Sequence, residues 1–334
     1  MLLDIMSKPS GAAQPQERAL AADTLLRLVT KIPVVNLIGL SDRICIMEQP
    51  PALLVNKLIR HPDARVAGPL LETCAAISDQ VLLPVIRKAD HEKRRMIARR
   101  NALSPALCDA LLEAGDSSVF LTVVRNPGAS LSHDAFITLS EQAKNQPSLQ
   151  APLVTRGDTP APMAFELFWF LPSELRRYVL SRFLTDSETL NKILKIALAV
   201  DGCPAEYSES EDRFADPHRA EELCKLIEEG SSNRAAALLS ELASINQANA
   251  LRIISDPDGD PLTVAMKSLG VTRARFSDAL KRWQSSPNCL IRAERPAGEL
   301  QTLFDSLSFN KARVLLTYWD WAALESGPYA RKAA

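Results

Sequence analysis

Seven basic side chains, Arg87, Lys88, Lys93, Arg94, Arg95, Arg99 and Arg100, crowd one short stretch against two acids, Asp90 and Glu92. This is the strongest charged feature of the chain. Arg95 and Arg99 stand four apart and share one helix face. Guanidinium groups so placed grip carboxylate or phosphate oxygens through paired N–H donors. The surrounding run Ile97-Ala98-Arg99-Arg100-Asn101 recurs as Thr122-Val123-Val124-Arg125-Asn126. Weaker echoes lie at Pro152-Leu153-Val154-Thr155-Arg156 and Lys57-Leu58-Ile59-Arg60-His61. Repeats stacked in register would carry Arg125 and Arg156 into the same stripe. The candidate binding residues are therefore Lys93, Arg94, Arg95, Arg99, Arg100, Arg125 and Arg156. The competing reading is structural: a solvated surface with arginines that complement helix C-terminal dipoles.

Other chemistries fail on inventory. The histidines His61, His91, His133 and His218 are scattered, and no H-E-x-x-H places two imidazoles on one helix face. Asp256-Pro257-Asp258-Gly259-Asp260 hints at calcium, but Gly259 is fourth where a calcium loop needs it sixth. Lys267 stands where the bidentate Glu belongs. Asp and Gly instead predict a turn, with Asp260 and Pro261 opening the next helix. No G-x-S-x-G elbow, G-x-G-x-x-G or Walker loop occurs, and no cysteine has a sequence-local base. No catalytic residue, metal site or cofactor is expected. Trp319-Asp320-Trp321 offers a second candidate: Trp319 and Trp321 as anchors for a partner, or as part of a packed terminal cap with Leu315, Leu316 and Leu324.

The elements that would position these residues are short helices. Breakers recur every ten to fifteen residues: Gln49-Pro50-Pro51, His61-Pro62-Asp63, Ser78-Asp79, Ser104-Pro105, Asn126-Pro127-Gly128, Gln146-Pro147 and Thr159-Pro160. Apolar residues at i, i+3, i+4 spacing follow each, as in Leu107, Leu111 and Leu112. Helices this short bury a face only against stacked neighbours. Strand-like alternation is absent. The pattern predicts an all-α protein, a HEAT-like or leucine-variant-like solenoid with a second C-terminal helical block. The expected division is a disordered leader at 1–16, a helical-repeat domain at 17–200, an acidic linker loop at 201–217 and a C-terminal helical domain at 218–334. Helices are expected near 218–229, 232–245, 247–255, 260–269, 272–284 and 309–325.

Composition agrees. Apolar residues make up 46% and aromatics only 5% of 334 residues, which favours aliphatic helix packing over a β-sandwich. A formal net charge of −1 gives no global field toward nucleic acid or an anionic membrane. Six scattered cysteines without a C-x-x-C suggest buried, reduced thiols. Neither a signal segment nor an apolar run long enough to span a membrane is present, so the expected location is the cytoplasm.

Two runs carry a family resemblance. "ARVAGPLLETCAAISDQVLL" is followed by "MIARRNALSPALCDALLEAGDSSVFLTVVRNPGASLSHDAFITL". They resemble a bacterial, mainly alphaproteobacterial family, the domain of unknown function 2336. The resemblance rests on Ile97–Arg100, Leu103-Ser104, Asp109, Gly115-Asp116, Val119, Asn126, Gly128-Ala129, Ser132, Phe136 and Leu139. Asp258, Gly259, Leu262, Ala265, Leu269-Gly270 and Phe276 extend it, over roughly residues 20–285. It implies a helical, HEAT-like protein and brings no catalytic residues with it; residues 289–334 lie outside it.

The resulting expectation is a non-enzymatic interaction or regulatory scaffold that binds another protein on a curved helical surface. The alternatives are a sensor for a phosphorylated small molecule or nucleotide at the basic patch, and a helical-repeat nucleic-acid binder, which the charge balance disfavours.

Overall fold

A computed structural model describes residues 15–183, 215–290 and 296–323. Every regular element among them is helical, and the sole bridge is an isolated parallel one between Leu103 and Ala129. None of these helices is long and apolar enough to cross a membrane. The expected leader at 1–16 falls, up to residue 14, outside the described residues, and so does most of the acidic loop at 201–217.

The first of two compact units ends at Asp158. Its helices are α1 (Pro15–Leu28), α2 (Val34–Cys45), α3 (Ala52–Leu58), α4 (Ala64–Glu72) and α5 (Asp79–Lys88). They continue as α6 (His91–Ala98), α7 (Pro105–Glu113), α8 (Ser117–Arg125), α9 (His133–Asn145) and α10 (Pro147–Thr155). Most of the punctuation works as the sequence predicts. Asp63, Asp90, Ser104, Asp116 and Ser132 each accept a backbone N–H of the following first turn, satisfying one of that turn's orphan donors. Asn126-Pro127-Gly128 behaves differently, because the next helix waits until His133.

The packing order makes this unit a solenoid-like stack of two layers. The even-numbered helices α2, α4, α6, α8 and α10 pack each on the next. In the odd layer α1 packs on α3, α5 on α7 and α7 on α9. Between the layers runs one aliphatic core that includes Leu37, Ile44, Leu58, Leu70, Leu82, Ile97, Leu111 and Val123, all essentially inaccessible. A seven- to fourteen-residue helix is marginal alone, so this shared burial is what holds each one folded.

The second unit begins at Thr159. It contains α11 (Ala161–Leu167), a 3-10 turn at Phe168–Phe170 and α12 (Ser173–Phe183). Then come α13 (Pro217–Glu228), α14 (Ser232–Ala243), α15 (Gln247–Ile254) and α16 (Asp260–Ser268). The last are α17 (Arg273–Ser285), α18 (Ala297–Ser306) and α19 (Phe309–Ala323). α16 is buried on nearly every side and packs against α15, α18 and α19, so this unit is a bundle wrapped around one helix. The spacing anticipates most of these elements to within two residues, while α18 is additional.

Aromatic contacts hold the segment after Asp158 within the second unit. Phe165 meets Tyr318 edge-on at 6.0 Å, and Phe168 packs on Trp319 at 4.7 Å. Tyr318 also donates to a Glu166 carboxylate oxygen at 2.9 Å. These contacts bind α11 to α19 across about half the chain, which no local pattern reveals.

Cys74, Cys108 and Cys224 are buried within the core. Burial pushes the Cys108 and Cys224 thiols up to about 12 and raises that of Cys74 as well. Alkylation of the native protein at pH 8 should therefore label the half-buried Cys45 and Cys289 first and spare these three until unfolding, as peptide mass mapping will show. A folded-state pKa above the unfolded one favours the native state fully below about pH 9. That contribution is lost between about 9 and about 12, so the urea midpoint should fall as pH rises through that window.

Candidate functional site

The recurrent basic motif splits into two populations. Arg100 is 8% exposed and points inward. Its Nη1 donates to the Leu71 carbonyl at 2.9 Å and, at longer range, to that of Leu70, while Nη2 donates to the Cys74 carbonyl at 2.6 Å. These are the orphan carbonyls at the end of α4. Burial lowers the Arg100 pKa from the ordinary arginine value, partly offset by nearby Cys74 and Asp79.

Arg156 repeats the arrangement two helices on. Its guanidinium donates to the carbonyls of Val124, Asn126 and Ala129 at 2.8–2.9 Å, in and beyond the last turn of α8, and pairs with Asp158. Between them Asn126 does the same job for α6, donating to the Ala98 and Arg100 carbonyls at 2.8 and 2.7 Å. Each even helix from α4 to α8 thus has its C-terminal carbonyls closed by a side chain from just beyond the next even helix. The expectation that these arginines complement helix ends is met, but at the neighbouring helix and not their own.

Lys93 and Arg94 are also committed. Lys93 Nζ donates to the His61 carbonyl at 2.6 Å and Arg94 Nε to the Ile86 carbonyl at 3.0 Å. The expected ligand stripe therefore loses Lys93, Arg94, Arg100 and Arg156 to the scaffold. The echo at Lys57–His61 belongs to the odd layer, at the end of α3. The equivalent position on α4 carries Thr73-Cys74, where Cys45 Sγ lies 3.0 Å from Thr73 Oγ1.

Arg95, Arg99 and Arg125 remain. All three line a groove of about 640 Å³ between α6 and α8, together with Asn101, Ser118 and Thr122. Spacing places them there: Arg95 and Arg99 share the outer face of α6, while Ser118, Leu121, Thr122 and Arg125 follow at i, i+3, i+4 and i+7 on α8. No carboxylate lines the groove. Arg99 is in loose contact with Glu72 at 3.8 Å, an exposed pair worth little. Arg95 and Arg125 make no hydrogen bond or ion pair with any described residue. Arg125 also borders a second groove of about 990 Å³ between α8 and α10, which Ser148, Ala151 and Thr155 continue. The sequence grouped these arginines but could not say which turn outward.

The aromatic candidates fare differently. Trp319 is fully buried against Phe168 and Trp169, so it is a packing residue and not an exposed anchor. The side chain of Trp321 lies outside the described residues. Asp320, between them, accepts the Asn246 N–H at 2.7 Å ahead of α15, and burial raises its pKa.

Another charged cluster went unrecognised in the sequence. Arg176 pairs with Asp256, lies 3.7 Å from Asp258 and donates to the Leu171 carbonyl at 2.9 Å. Ser173 Oγ donates to Asp258. Arg252 stacks on Trp169 at 4.5 Å, and its pKa is lowered by burial and then by Arg176. The turn read at 256–260 is present, with Gly259 at φ 75°, but its aspartates also clamp α12. Their partner lies 80 residues away, and no periodicity signals it. No group of three or more His, Cys, Asp or Glu among the described residues is placed to hold a metal.

A family model described as an uncharacterised protein conserved in bacteria, the domain of unknown function 2336, matches residues 66–317. The chain belongs to this family. No curated protein and no solved structure matches the chain.

Several of the residues that carry the family resemblance are architectural in this structure. Asn126 closes the end of α6 and also accepts the Gly128 N–H through Oδ1. Gly128 presses on the preceding loop so closely that a Cβ would overlap the Asn101 carbonyl oxygen. Leu103 exchanges backbone hydrogen bonds with Gly128 and Ser130 at 2.9 and 3.0 Å. Ser132 Oγ donates to Asp109 at 2.6 Å while accepting the Ala135 N–H. Gly115 takes φ 73° so that Asp116 can cap α8.

Two comparisons test this sorting. Arg100→Ala takes the charged donor from the Leu70, Leu71 and Cys74 carbonyls, of which only Cys74 keeps a backbone N–H, from Ile77, and should cost about 3 kcal/mol or more, whereas Arg99→Ala should cost under about 0.5 kcal/mol in urea melts. Gly128→Ala should destabilise by at least about 2 kcal/mol, because the obstacle is backbone.

Proposed function

We propose that this protein is a non-enzymatic, HEAT-like interaction scaffold whose even-helix face receives an acidic segment of another protein. One observation carries the reading: Arg95, Arg99 and Arg125 converge on the α6–α8 groove, and no carboxylate lines it. The other candidate binding residues, Lys93, Arg94, Arg100 and Arg156, are engaged with backbone carbonyls, so these three are the part of that set left to meet a partner. The neighbouring α8–α10 groove continues the surface past Arg125, giving an extended segment room along successive helices. Serine, threonine and asparagine hydroxyls and amides beside the arginines supply further donors for carboxylate oxygens.

A second reading shares the site. A volume near 640 Å³ also suits a small phosphorylated molecule, and three guanidinium groups suit its oxygens. The fold gives the acidic segment the advantage, because the site is an open trough shared by consecutive helices and not an enclosed pocket.

Titration of the full-length protein with a fluorescent glutamate-rich peptide tests the proposal. Binding is expected to weaken steeply between 50 and 300 mM salt, on the order of tenfold, as screened surface charge requires. Arg95→Glu/Arg99→Glu/Arg125→Glu should lower affinity by at least about tenfold, and Lys88→Glu by less than about twofold. Tighter calorimetric binding of pyrophosphate or a nucleoside diphosphate than of the peptide favours the small-molecule reading. No binding of either overturns both.

A further inference from the structure

Cys45 is the last residue of α2, and Cys74 stands just past the end of α4, the helix on which α2 packs. Stacking brings these two helix ends together. Cys45 Sγ lies 3.0 Å from Thr73 Oγ1 and 3.5 Å from the Pro69 carbonyl oxygen. Thr73 Oγ1 donates to that same carbonyl at 2.8 Å, which leaves it an acceptor for the Cys45 S–H. The Cys74 thiol in turn shares a side-chain hydrogen bond with Cys45. Both belong to one aliphatic core, Cys74 fully buried inside it and Cys45 half-buried at its edge.

A disulfide requires Cα atoms no more than about 7 Å apart, so without rearrangement it joins only cysteines whose thiols already meet. Helix ends suit such a bond, because few ladder hydrogen bonds resist a small shift there. The surroundings give the two thiols different roles. Burial pushes the Cys74 thiol up, and only Cys45 reaches solvent, so Cys45 meets an oxidant first. Arg100 stands beside both sulfurs and counters part of the effect of burial on Cys74. Its Nη2 also holds the Cys74 carbonyl at 2.6 Å. A cation fixed at that point favours the thiolate through which Cys74 reacts. Beyond burial, the groups that shift Cys108 and Cys224 are carboxylates and guanidinium groups.

We infer that Cys45 and Cys74 are a reversible dithiol–disulfide pair, oxidised by a small-molecule disulfide, that staples the end of α2 to the end of α4. The Cys45 sulfur attacks one sulfur of the reagent. A mixed disulfide forms, the reagent's own S–S bond breaks, and the leaving thiolate takes up the Cys45 proton. Cys74 then attacks the Cys45 sulfur and expels the second reagent thiolate, which takes up the Cys74 proton. Two protein thiols are oxidised and one disulfide is reduced to two thiols. An excess of small-molecule thiol runs both steps backward. The pair is independent of the α6–α8 groove.

Oxidised glutathione added to the reduced full-length protein at pH 8 tests this, read by peptide mass mapping and non-reducing electrophoresis. The wild type should yield one peptide pair joined through Cys45 and Cys74 within a single chain. Its urea midpoint should rise, because the bond closes a loop in the unfolded chain. Excess reduced glutathione should reverse both changes. Cys74→Ser should stop at the intermediate, with glutathione retained on Cys45, and Cys45→Ser should leave Cys74 unmodified in the native protein. The wild-type map decides the matter even if either variant fails to fold. Glutathione that stays on Cys45 of the wild type overturns the inference, as does a native Cys45 that does not react. A link from either residue to another cysteine or to a second chain also overturns it, and so does one that forms only after unfolding in urea. A Cys45–Cys74 link that lowers the urea midpoint counts against it equally, since the stack then has to distort to admit the bond.

Discussion

A helix of eight or nine residues has almost as many unpaired carbonyls as internal hydrogen bonds, so the way its C-terminus is closed decides whether it survives in a core. In the stacked unit that closure comes from just beyond the next helix of the same layer. Arg100 serves α4, Asn126 serves α6 and Arg156 serves α8, each reaching back from beyond the following even helix. The interaction ties local helix formation to stacking: a helix end is satisfied only when its neighbour is in place, and the neighbour's own end only when the next has arrived. Burying a guanidinium costs several kcal/mol, which the carbonyls must offset through charge-assisted hydrogen bonds. Register follows, because a latch displaced by one residue would leave both the cation and the carbonyls unpaired.

The candidate groove is a consequence of the same arrangement. Adjacent residues at the end of each repeat can send one side chain inward and leave the other at the rim. Arg100 and Arg99 divide in that way, and Arg125, beside the inward-pointing Asn126, takes the outer position on α8. The cations of the α6–α8 groove are thus by-products of the latch positions, held at fixed spacing by the helices that the latches secure.

The second unit solves its burial problem with aromatic and ionic contacts of long sequence separation. Phe276 stacks on Phe304 at 4.4 Å, Trp283 Nε1 donates to the Cys224 carbonyl at 3.0 Å, and Arg176 bridges the aspartates of the 256–259 turn. Such contacts fix a compact bundle around α16. They offer no repeated groove, which is why the functional reading rests on the first unit.

Local chemistry was legible in the chain from the start. Helical spacing, prolines and Asp or Ser caps placed most elements, and the turn at Gly259 followed from residue types alone, because each depends on neighbours within a few positions. The recurrent Arg motif was visible too, with its preference for helix ends. Whether Arg100 or Arg156 faces a carbonyl or the solvent depends on residues 26 to 32 positions away, and a single residue step separates Arg99 from its opposite fate at Arg100. Tertiary structure alone therefore decided that Lys93, Arg94, Arg100 and Arg156 are structural, that Arg95, Arg99 and Arg125 share a groove, that Trp319 is core, and that α11 and α12 pack with the second unit. The physical reason is common to all four: direction and burial are properties of packed surfaces, and a periodic sequence states only which face a residue occupies.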